Sequence, residues 1–153
     1  MSRSKLNITY LFLFMIPYLI AILLVASAYN ALVLHWSNWW RLCVGGIVGA
    51  TFLSALKLTI QRPLNLLVLQ DAKSLVAFFG RFFLVRGNKR LVLFNFGLDF
   101  LLTIIGVFVI RTWFAQSLVM WGLIGWLIVA MFISTAIGSY VAYDVLSIDP
   151  DQH

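Results

Sequence analysis

The chain has 153 residues, 63% of them hydrophobic and only 10% charged, with a mean hydropathy of +1.00. Soluble globular domains carry about 25% charged residues, and a surface this poor in charge would expose large apolar patches to water. A soluble enzyme and a disordered basic tail are thereby excluded, leaving an all-α integral membrane protein.

The net charge of +6 comes from 11 Lys and Arg against 5 acids, all of them Asp. In a membrane protein such an excess marks loops on the cytoplasmic side, so no nucleic-acid partner is expected. The lone Cys43 offers neither an intramolecular disulfide nor a metal-ligand spacing. The length fits a single transmembrane helical domain over 1–153.

Arg3 and Lys5 precede an uncharged stretch in which residues 8–28 form the first expected span. About 20 helical residues cross a hydrocarbon core of roughly 30 Å. Pro17 falls near the middle and predicts a kink, tolerable where a neighbour satisfies the freed carbonyl. Ala26-Ser27-Ala28 also resembles a signal-peptide cleavage site. The apolar run before it exceeds the usual ~7–15 residues of such a peptide, so the segment reads as a retained span.

His35, Trp36, Trp39 and Trp40 then suggest an interfacial loop, because Trp gathers at the headgroup boundary. His35 reads as an interfacial residue rather than a haem ligand, since no second intramembrane His exists. A second span follows over residues 40–60. Within it Gly45, Gly46 and Gly49 form a GxxxG-type packing face, whose partner lies either in this chain or in another. Lys57 sits near the inner end and is expected to snorkel outward along its alkyl stem.

Residues 61–90 hold Arg62, Lys73, Arg81, Arg86, Lys89 and Arg90 against Asp71 alone. Burying Asp71, Lys73 and Arg81 in a spanning helix would cost about 2.5–3.5 kcal/mol each near the centre. The segment therefore reads as a basic amphipathic interfacial helix on the cytoplasmic side. It is expected to attract anionic headgroups by ~1 kcal/mol per charge, with Phe78, Phe79, Phe82 and Phe83 inserting into the interface. Docking of an acidic partner is the alternative for the same face.

The third span covers residues 91–110 and is closed by Arg111. The fourth lies at about 117–140, followed by an acidic tail with Asp144, Asp149 and Asp151. With both termini cytoplasmic, nine Lys and Arg lie inside and two, Arg41 and Arg111, outside. The positive-inside rule supports this orientation and a bacterial-type inner membrane.

One charge is out of place. Asp99 sits about 12 Å along the third span from Leu91, near mid-bilayer. Asn95, Asp99, Thr103 and Gly106 share one arc of that helix, which is expected to face protein. Asp99 either pairs with Lys57 or Arg62, forms hydrogen-bonded glue between helices, or serves as a proton or cation site. Proton relays usually chain several ionisable groups, and no second intramembrane acid exists here. No nucleophile–base set, metal site or cofactor is expected. The resulting expectation is a non-enzymatic structural or accessory subunit that packs with itself or with a larger membrane assembly. A small oligomeric ion channel or proton-coupled transporter using Asp99 is the alternative.

Overall fold

The computed structural model describes residues 3–33, 39–70, 80, 83–84, 89–115 and 122–143. They are helical with no strand among them, and four helices are long and apolar enough to cross a membrane: Ser4–Leu32, Trp39–Thr59, Lys89–Trp113 and Ile124–Val141. His35, Trp36, Asp71, Lys73, Arg81, Arg86, Phe78, Phe79, Phe82 and the acidic tail lie outside the described residues.

The first span is built from α1 (Arg3–Tyr10), a π-helical turn (Leu11–Met15) and α2 (Ile16–Leu32). The 29 residues from Ser4 to Leu32 extend about 43 Å, further than the core of the bilayer requires. The π-turn is the consequence of Pro17. The Ile16 amide donates to the Leu11 carbonyl, five residues back. The Phe12 carbonyl would take the next such bond from residue 17, which as proline has no N–H. Ser134 of the fourth span supplies the missing donor, its Oγ lying 2.7 Å from the Phe12 oxygen. One turn further on, Gly138 meets the Leu13 backbone, where a Cβ would come within 2.8 Å of its nitrogen. A proline-widened turn, a serine and a glycine thus seat the fourth helix (α6, Ile124–Val141) against the first.

This seat gives an expected result. Ser134→Ala leaves the Phe12 carbonyl without its donor and costs about 1 kcal/mol, in the range of measured interhelical bonds in membranes. In a Pro17→Ala background an amide at 17 restores an in-helix donor, so the same change becomes nearly neutral. Reversible unfolding in bicelles measures the difference.

The second span, α3 (Trp39–Thr59), and the third, α5 (Lys89–Trp113), pack against each other and against α2. Small residues set these approaches. Gly106 lies against Ile22 and Ala26, and Asn30 Nδ2 donates to the Val107 carbonyl at 3.0 Å. Ala26, Leu42, Val107 and Ile110 close one apolar cluster, and Ala21, Ile22 and Leu53 another.

Beyond Thr59 the chain turns at Ile60 and continues as α4 (Gln61–Gln70). Backbone bonds from Ile60 to Leu56 and from Leu64 to Ile60 run through the turn, so the chain stays hydrogen-bonded across it. Leu64 is buried with Leu6, Tyr10 and Phe14, and Gly80 lies against Val68. The start of the 61–90 segment therefore packs on the first helix through apolar side chains, while Arg62, Lys89 and Arg90 are exposed.

Candidate functional site: an ion pair buried between spans

Asp99 sits ten residues into α5, about 15 Å from its start, and is completely buried. Its partner is Lys57. The ammonium lies 2.7 Å from Oδ1 and 2.9 Å from Oδ2 of Asp99. The Tyr18 hydroxyl of the first span donates to Oδ1 as well. One carboxylate thereby gathers side chains from three spans.

Lys57 is 2% exposed and does not snorkel. Two features keep the side chain inside. A carboxylate lies within reach on the neighbouring helix, and the chain continues as α4 packed on the first span, so residue 57 is not at the edge of the bundle. The remaining sides of the ammonium are aromatic: the Tyr18 and Phe83 ring centroids each lie 4.9 Å from Nζ. Those two rings meet edge to face at 5.0 Å and 75°. A cation held over desolvated ring faces gains about 2 kcal/mol or more. Phe83 itself is fixed from α4, because Gln61 Nε2 donates to its carbonyl at 3.1 Å and to the Lys57 carbonyl at 2.9 Å.

The rest of the polar arc turns inward with Asp99. Asn95, Thr103 and Gly106 are all buried. Thr103 Oγ1 donates back to the Asp99 carbonyl at 2.8 Å, an i−4 bond that leaves its methyl facing outward from its own helix. That side chain fills the notch at Gly49, where any Cβ would overlap it. Gly46 meets Phe100 and Ile104 of the same span, and Gly45 meets the Tyr29 ring of the first. All three glycines therefore face partners within this chain. Arg62 is exposed and is not the partner of Asp99.

Tyr18, Phe83 and Gln61 belong to this site without having been singled out by sequence. Tyr18 follows Pro17 in an otherwise aliphatic stretch, and its hydroxyl is the only signal it carries. In sequence Phe83 reads as one of four neighbouring phenylalanines on a membrane-inserting face.

Chemically, the cluster is a neutral, fully coordinated pair in an apolar and aromatic shell. It is suited to holding helices together, because separating either charge inside the bilayer is costly. No family model, curated protein or solved structure matches the chain. The class defined by composition and fold is a polytopic helical membrane protein.

Proposed function

We infer that the chain is a non-enzymatic structural or accessory membrane subunit that packs with itself or with a larger assembly. The observation that carries this reading is the coordination of Asp99. Its two oxygens accept from Lys57 and Tyr18 of the same chain, so the one acid at mid-helix is committed to holding spans. A second feature supports a packing role. The fourth helix is 11% buried within the protomer, against 33–39% for the other three, and presents Trp126, Phe132, Ile133 and Tyr140 outward. The proposed orientation keeps both termini cytoplasmic, in a bacterial-type inner membrane, with Arg62, Lys89 and Arg90 toward anionic headgroups. It rests on the distribution of Lys and Arg.

Two readouts on one preparation test the reading. In mild detergent, with crosslinking in the native membrane beforehand, the chain is expected to run as an oligomer or with a membrane-protein partner. In liposomes, wild type and Asp99→Asn are expected to show the same background flux of ions and protons. A stable monomer without crosslinked partners overturns the subunit reading. Flux that is abolished by Asp99→Asn establishes the transport alternative instead.

A further inference from the structure

Three members of the Asp99 cluster stand on spans: Tyr18 on the first, Lys57 on the second and Asp99 itself on the third. Phe83 does not. It belongs to the connection between the second and third spans, beyond α4, and its ring reaches the Lys57 ammonium near the end of the second span. Tyr18, Lys57 and Asp99 cannot leave without moving a membrane-spanning helix. Phe83 can.

The ring covers a side of the ammonium that has no oxygen partner. A lysine carries three N–H donors. Both Asp99 oxygens accept from Lys57, at 2.7 and 2.9 Å, and no further oxygen among the described residues does so. The Tyr18 and Phe83 rings face the same nitrogen at 4.9 Å each. Tyr18 is held in place by its hydroxyl, which donates to Asp99. The Phe83 ring therefore stands where a water would complete the shell of the ammonium. Lys57 also borders an open groove beside the first span, but the lining there is almost wholly apolar, and water settles only among polar partners.

One amide latches the ring. Gln61 Nε2 donates to the Lys57 carbonyl at 2.9 Å and to the Phe83 carbonyl at 3.1 Å, tying the end of the second span to the backbone that carries the ring. The edge-to-face contact with Tyr18 seats the ring itself. Water admitted on this side raises the local dielectric and weakens the attraction between the two charges. The seating of Phe83 and the strength of the link between the second and third spans are thereby coupled.

We propose that Phe83 is a lid on the ion pair. Latched by Gln61, it keeps the pair dry and the second and third spans locked; unlatched, it admits water from the α4 side and loosens them. The lid governs access to the pair and is independent of whether the chain acts alone or in an assembly.

The full chain in bilayers, labelled with ¹⁵N at lysine side chains and ¹³C at aspartate carboxyls, tests the lid through NMR magnetisation transfer from water. Build-up is read on the lysine nitrogen in contact with Asp99, so other lysines do not contribute. In wild type it is expected to be several-fold slower than at an exposed lysine such as Lys89. Phe83→Ala is expected to remove most of that difference and to weaken the nitrogen–carbon coupling. Gln61→Leu, which leaves in place every side chain touching the two charges, moves both readings the same way by less. Phe108→Ala, an equal loss of ring on the exposed face of the third span, changes neither. A wild-type pair as wet as Lys89, a Phe83→Ala pair as dry as wild type, or equal effects of Phe108→Ala and Phe83→Ala overturn the proposal. Where Phe83→Ala fails to fold, Gln61→Leu decides: a pair as dry and as strongly coupled as in wild type overturns the lid.

Discussion

Lys57→Met is expected to destabilise the protein by about 3–5 kcal/mol, the cost of leaving one member of a buried ion pair without its partner. Asp99→Leu has a loss of similar size, because it strands the ammonium among the Tyr18 and Phe83 rings. The double variant behaves differently. With both charges gone, no ion remains to be desolvated, and replacing a buried pair by apolar side chains is often close to neutral. What persists is the Tyr18 hydroxyl without its acceptor, a residual cost of about 1–3 kcal/mol. The two single losses therefore greatly exceed the loss of the double variant. Reversible unfolding in bicelles or vesicles measures the cycle, and simple additivity of the two changes would mean that the groups do not interact.

Gly49→Ala is expected to cost about 1–3 kcal/mol by overpacking the contact between the second and third spans. The added methyl meets Thr103, which has little freedom to yield because its side chain is fully buried and bonded to the Asp99 carbonyl. Any retreat by the third span also pulls Asp99 away from Lys57, whose helix carries Gly49. Thr103→Ala empties the notch, so Gly49→Ala is expected to be far milder in that background. Unfolding free energies of the four variants give the comparison. An equal cost in both backgrounds contradicts the contact.

Much of this arrangement is legible in sequence because a bilayer imposes few solutions. Runs of about 20 apolar residues locate all four spans to within a few residues at most ends. The polar arc Asn95–Asp99–Thr103 follows from helical periodicity and from the cost of facing lipid with an acid. Lys57 illustrates the limit. Its position near the end of an apolar run is equally compatible with snorkelling and with an inward pair, and only the neighbouring helix decides between them. The glycines carry the same ambiguity: GxxxG spacing identifies a close approach without naming its partner, here Thr103, Phe100 and Tyr29. Tyr18 and Phe83 are less legible still, since aromatic residues are common in membrane helices and their contacts here join residues far apart in the chain. The seat at Pro17 was half legible. Proline predicts a freed carbonyl, but Ser134, 122 residues away from Phe12, is found only in three dimensions.

The pairing of Lys57 with Asp99 is the central claim, and a direct measurement reads it in lipid. In bilayers containing protein labelled with ¹⁵N at lysine side chains and ¹³C at aspartate carboxyls, solid-state NMR dipolar recoupling detects nitrogen–carbon pairs in contact. Asp99 is expected to give a strong cross-peak to a lysine Nζ that disappears in Lys57→Met. An Asp99 carboxyl with no lysine contact, exchanging freely with water, would contradict the account.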